Sequence, residues 1–480
     1  MKCSKRVLAV LAAGALSAAT AVPALAMENE IHGMFRTYFD DTNFEINKDV
    51  SSLGGSTLGG GVTRAEENAN FFETRLRVNY TAKLNDDVKI VSRFETNYYY
   101  WGNSNYTAAR AGGGALGSRG VNIETKQIYL DLNTPSYKLE SKIGMQPFTD
   151  DYEGIFVDSD MPGVQFSHNY EKGGVSAAFF RWDDADALGG ASEHPTYGHN
   201  TRDLYVLRGN YEVAKDFKLG GAYYFLNANL PNGNPGDIAT AVGNFPLQSP
   251  MDYQLHMLGI NAEGIVGPVA LNGFVVTQLG KDHLTGRDIQ AFAGSAGAKM
   301  AVGPGTARVN FLYTSGDDGK GTDHAFRVGS LESGYYDNHM TVLGRNQYAM
   351  VNDNAIVFDG NNANQGSIFG SAGYDFPVAK DLDGSVNLGF AATDTNGFDP
   401  TTGLPTKPVN IKTGSPNGSN FLGTEVNAEF NYKLNTFTTL TAVGGYVFLG
   451  DYWKNTALSS TGGVDPNGVY DTKLVVTVAF

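Results

Sequence analysis

Tight and long connectors alternate along this chain. Candidate strands are joined by eight tight gaps: Asn85–Asp87, Thr134–Ser136, Glu171–Gly173, Ala214–Asp216, Val266–Pro268, Val302–Gly303, Ala379–Asp383 and Asn435–Thr436. Among these fall nine longer ones: Asp41–Asn70, Trp101–Gly120, Pro147–Met161, Asp183–Thr201, Ala228–Pro250, Lys281–Arg287, Ser315–Gln365, Thr395–Asn420 and Asp451–Val469. A sandwich or a propeller has no reason to sort its connectors by length in this way. A closed antiparallel barrel that spans a membrane does, because its turns are short on one rim and its loops long on the other. Eight turns and nine loops join about 18 strands, an even number as such single-chain barrels require, with 16 the nearest alternative.

The segments between connectors carry the two-residue period of strands. In Phe71–Lys83 one face is Phe72, Thr74, Leu76, Val78 and Tyr80, and the other includes Glu73, Arg75, Arg77 and Asn79. Val88–Tyr98, Lys138–Gln146 and Thr424–Lys433 repeat the pattern, while Asp252–Glu263 and Ile289–Met300 alternate less cleanly. After the N-terminus no run of about 18 apolar residues exists, so a helix is not how this chain would cross a bilayer. A closed barrel is the other structure that satisfies its backbone in lipid.

Residues 1–26 read as an export leader. Lys2, Lys5 and Arg6 precede an apolar run from Val7 to Val22, and Ala24-Leu25-Ala26 is a cleavage signal. Residues 27–480 then form the barrel domain. Cleavage would remove Cys3, the single cysteine, and leave 32 basic residues against 50 acidic ones. No cysteine-rich metal site, disulfide scaffold or C-x-x-C-H haem attachment is possible, so no cofactor is expected. The acidic balance argues against nucleic acid as a partner.

The chain ends on a strand. Leu474, Val476, Val478 and the terminal Phe480 share one face of Tyr470–Phe480, opposite Asp471 and Lys473. This segment resembles the terminal strand of Gram-negative outer-membrane proteins, which the barrel-assembly machinery reads. Over 27–480 the chain resembles a Gram-negative porin in its glycine-rich, aromatic strands and tight turns. It is also similar to porins of metal-reducing deltaproteobacteria. The resemblance implies short periplasmic turns, long extracellular loops and residence in the outer membrane among lipid and lipopolysaccharide. It further implies passive diffusion of small hydrophilic solutes and ions, often through homotrimers.

Two charged constellations stand out. If the apolar faces meet lipid, Arg36, Arg75, Arg77 and Arg93 line the lumen as a basic ladder, with Arg77 near Glu95 across the Asn85–Asp87 turn. Such repulsion between neighbouring strands is tolerable in a wet lumen with counter-charges. The third long connector carries Asp150, Asp151, Glu153, Asp158 and Asp160 around an apolar Ile155-Phe156-Val157 centre. In general porins the third loop folds inward, and the resemblance implies an acidic constriction facing the ladder. Ser315–Gln365 is expected to be a surface loop. Tyr98 to Trp101, Tyr223 to Phe225, Tyr446, Phe448, Tyr452 and Trp453 read as interfacial aromatics. His194 and His199 lack a nameable third ligand, so no metal site is assigned. Neither H-E-x-x-H nor G-x-S-x-G occurs, so the chain does not read as an enzyme. Two other classes compete with the porin: an outer-membrane barrel enzyme, and a barrel sheath around a multihaem cytochrome in an electron conduit.

Overall fold

The computed structural model describes residues 28–43, 69–96, 99–104, 113–117, 121–184, 198–230, 251–329, 339–348, 355–357, 359–400, 402–410, 412–456 and 468–480. The leader 1–26, Tyr98 and His194 lie outside the described residues.

Eighteen strands make the barrel: β1 (Glu28–Thr42), β2 (Ala69–Asn85), β3 (Val88–Thr96), β4 (Ile123–Thr134), β5 (Leu139–Thr149), β6 (Asp158–Tyr170), β7 (Gly173–Asp184), β8 (Thr201–Ala214), β9 (Phe217–Leu230), β10 (Met251–Val266), β11 (Val269–Asp282), β12 (Asp288–Val302), β13 (Gly305–Thr314), β14 (Ser367–Ala379), β15 (Leu382–Ala392), β16 (Phe421–Lys433), β17 (Thr438–Leu449) and β18 (Val469–Ala479). Tyr99–Tyr100 continues the path of β3 along β2. Each strand pairs antiparallel with the next. β18 returns to β1, from Met34↔Ala479 to Thr42↔Asp471, and closes the sheet. At the turn rim Gly33 and Phe480 exchange backbone hydrogen bonds of 2.7 and 3.0 Å.

The eight tight connectors are the hairpin turns of one rim. Gly267 and Gly303, at φ of 61° and 57°, each precede a proline, the order a type II′ hairpin turn needs. The third loop, L3 (residues 150–157), is shorter than the sequence suggests. The β5–β6 ladder runs out to Thr149↔Asp158, so residues assigned to the loop are strand.

Exposure separates the two faces. On β10, Leu258 and Ile260 are 60% and 61% exposed, whereas Met257, the residue before Leu258, is 1% exposed. Ile31, Leu207, Val275, Leu388 and Leu474 share the outward belt. A continuous apolar exterior of this kind is stable in lipid and not in water. Part of the expected aromatic ring is there: Trp101 stacks on Phe72 at 4.5 Å, and Tyr223, Tyr446 and Phe448 face outward. Tyr224, Tyr452 and Trp453 do not join it. They are buried inside, because L3 and later loops fold onto them.

The interior is only partly wet. One apolar cluster fills its loop-side half, uniting inward residues such as Phe180, Leu255, Phe274 and Ala291 with loop residues. Phe326, Met340, Val342, Leu343 and Ile356 in this cluster belong to L7 (residues 315–366). L7 is therefore not the surface loop expected of it. Its apolar side chains find their burial within the barrel.

Candidate functional site

The arginines sit on adjacent inward positions. Register places Arg36 opposite Arg75, Arg77 opposite Glu95, and Asn79 opposite Arg93. Arg77 donates from Nε to Glu95 Oε2 at 2.6 Å, and Arg75 Nε lies 3.3 Å from Glu95 Oε1. Glu95, only 2% exposed, thus bridges two guanidinium groups and offsets their repulsion. Arg93 donates to Asn79 Oδ1 at 2.6 Å. Arg36 lies over the Tyr348 ring, 5.3 Å from its centroid, and donates to Thr477 Oγ1 at 3.3 Å.

L3 enters the lumen, but its acids do not face this ladder. Asp150 is buried and accepts backbone N–H bonds from Tyr152, Gly154, Phe156 and Val157, so it shapes its own loop. Burial pushes its carboxyl up to about 6, against the effect of those four donors. Asp151 accepts from the Tyr224 hydroxyl at 2.7 Å and meets Arg208 at 3.5 Å. Glu153 accepts from Asn272 at 2.5 Å and Ser295 at 2.8 Å. Asp158 and Asp160 accept from Thr149 and Gln127. The expected confrontation of Asp150, Asp151 and Glu153 with Arg75, Arg77 and Arg93 is corrected accordingly, whereas Asp160 on β6 is joined through Gln127 to the strand position opposite Arg93. The apolar Tyr152 and Phe156 commit L3 to the β8–β12 wall, where Tyr152 donates to the Ala222 carbonyl at 2.8 Å. Gly259 leaves room, since a Cβ there would lie 2.9 Å from the Tyr152 ring.

The segment that reaches the ladder is 339–348 of L7, which sequence reasoning missed. Glu425 on β16 is its anchor. Both carboxylate oxygens accept backbone N–H groups, from Thr341 and Leu343 at 2.6 Å and from Val342 at 3.0 Å. Glycines admit the loop on either side. A Cβ at Gly445 would lie 2.8 Å from Thr341 Cβ, and one at Gly389 would lie 2.3 Å from Met340 Sδ. Beyond the anchor, the Tyr348 hydroxyl donates to Glu429 at 2.7 Å, and the Gln347 carbonyl accepts from Arg36 at 3.4 Å. L7 thus bridges β16 to the arginine cluster. The hint in the sequence was the apolar Met340-Thr341-Val342-Leu343 inside a long polar loop.

Further ties fix the loops above. Arg287 grips Asp317 through two bonds of 2.6 and 2.8 Å, which hold its guanidinium pKa up. Arg327 reaches Asp282 at 2.9 Å and Asp323 at 2.7 Å. Lys407 is buried, with the amide oxygens of Asn396 and Asn420 as its only side-chain acceptors among the described residues, and burial pushes its ammonium down to about 8. Among the described residues no group of three or more His, Cys, Asp or Glu could hold a metal ion.

No family model and no curated protein sequence matches this chain. Solved structures do. OpdQ of Pseudomonas aeruginosa is 13% identical over 94% of this chain and 99% of its own, with a TM-score of 0.52. The outer membrane protein OprD of the same organism is 13% identical over 94% and 93%, also at 0.52. OccAB4 of Acinetobacter baumannii is 13% identical over 94% and 98%, at 0.51. The chain has the fold of these barrels. At such identity the likeness is one of architecture, and it matches nearly the whole described path.

Proposed function

We propose that the protein is an outer-membrane channel through which small hydrophilic solutes and ions diffuse passively, exported by a leader cleaved after Ala26. The observation that carries this reading is the closed barrel with an apolar exterior and an interior bearing Arg36, Arg75, Arg77 and Glu95. A polar lumen behind a lipid-facing wall has no use in a packed soluble protein. The ladder and the docked L7 line the solute path, so charge and size are sorted there. The outward Leu474, Val476 and Val478, with Phe480 at the seam, are the signal offered to the assembly machinery. The barrel likeness to OprD, described as an outer membrane protein, supports the location.

Proteoliposome swelling with neutral solutes of increasing mass tests the reading. Swelling should be rapid for the smallest solutes and fall steeply with size. Liposomes holding correctly folded protein that swell for no solute would overturn it.

A further inference from the structure

Under the docked segment of L7 lies a cavity of ≈ 260 Å³, walled by L7 and by β14–β17. Its size suits one small solute rather than a chain. The lining is dominated by amides, Asn346, Gln347, Asn387, Asn427 and Asn431, with the Ser385 hydroxyl.

The charges around it are already engaged. Asp375 accepts from Arg308 at 2.9 Å. Glu429 accepts from the Tyr348 hydroxyl, Asn431 and Gln347, at 2.7, 2.6 and 3.0 Å. Asp383 lies 3.6 Å from Lys433, and Arg345 interacts electrostatically with Asp359. Among the amides of the lining, Asn346 keeps an unmet hydrogen-bonding group. Asn346 is 6% exposed, its Oδ1 accepts from the Tyr348 N–H at 2.8 Å, and its Nδ2 has no acceptor. A buried donor without a partner is costly, and an acceptor supplied by a ligand relieves that cost.

We infer that this cavity is a binding subsite for a neutral polyhydroxylated solute of sugar-monomer or polyol size. Hydroxyl groups both donate and accept, which matches a wall of amides that present oxygen and nitrogen together. The inference rests on the channel reading, since the solute reaches the site from the lumen.

Calorimetric titration of the purified barrel in detergent with D-glucose, sorbitol, glycine and acetate tests it. The expected result is saturable binding of glucose or sorbitol at least tenfold tighter than that of glycine or acetate. Asn346→Asp keeps the acceptor for Tyr348 but removes the unmet donor, and should weaken polyol binding tenfold or more. Val443→Phe occupies the cavity from β17 and should abolish it. Absent polyol binding, a preference for glycine or acetate, or binding unchanged in both variants would overturn the inference. Titration needs no ion flow, so an electrically silent barrel that binds polyol would refute the channel reading alone. A conducting barrel that binds none would refute the subsite alone.

Discussion

Replacing Glu425 with alanine should release L7 from the lumen. The carboxylate accepts three backbone N–H groups from residues 82 to 84 positions away, and it is fully buried. Hydrogen bonds to a charged group contribute about 1.5–3 kcal/mol each, so three would total about 4–9 kcal/mol if additive. They share one carboxylate, and water enters the vacated space, which brings a working figure to about 3–5 kcal/mol. That lowers the ratio of docked to undocked L7 by roughly two to three and a half orders of magnitude. The burial of Met340, Val342 and Leu343 opposes release but does not satisfy the three donors. Single-channel conductance should rise, and limited proteolysis should cut within 339–348 where the parent chain resists. Glu425→Gln, which keeps acceptor capacity, should fall between. Gly445→Val, which leaves the carboxylate in place but crowds Thr341, should resemble the alanine variant. If both Glu425→Ala and Gly445→Val keep parental conductance and protease resistance, L7 is not held in the lumen by these contacts.

Other consequences can be checked separately. Arg77→Gln should move the reversal potential in a salt gradient towards cations, and it should lower thermal stability by about 1–3 kcal/mol because the buried Glu95 loses one of its two guanidinium partners. An unmoved potential would place Arg77 off the ion path. For Asp150, the docked pKa of about 6 lies above the ordinary 3.8, so its contribution to L3 docking is fully present below about pH 4 and is lost as pH rises through 6. The loss is on the order of 3 kcal/mol, and corrected amide exchange of 150–157 should accelerate between about pH 4 and 6.5 in the parent and level off above that, but not in Asp150→Asn. Removing Phe480 should sharply lower the yield of folded, heat-modifiable barrel, because the Gly33–Phe480 pair closes the seam. Equal membrane yields with and without it would count against that role.

The sequence made the wall legible and left the interior obscure. Alternation and turn residues located the hairpins, because a lipid-facing residue must be apolar whatever else the chain does. The same rule explains the weak segments. Asp252–Glu263 and Ile289–Met300 alternate poorly because their inward faces are apolar too: Leu255, Met257, Ala291 and Ala293 meet folded-in loops. A faded period in a membrane strand was thus itself a sign of loop insertion. The Arg77–Glu95 pair was readable because a tight turn fixes register between neighbouring strands. The partners of Asp150, Asp151 and Glu153 were not, since a loop's docking place depends on contacts over 70 or more residues, such as Asp151 with Tyr224 and Glu153 with Ser295. Glu425 looked like one more lumenal acid on an alternating strand. Its partners are backbone amides of L7, which no side-chain pattern announces.

The most direct measurement is the current through purified protein reconstituted in a planar lipid bilayer. The account predicts discrete, reproducible conductance steps, smaller in the parent than in Glu425→Ala, with a reversal potential that shifts when Arg77 is replaced. Protein that inserts as a folded barrel yet passes no current in any of these forms would contradict it.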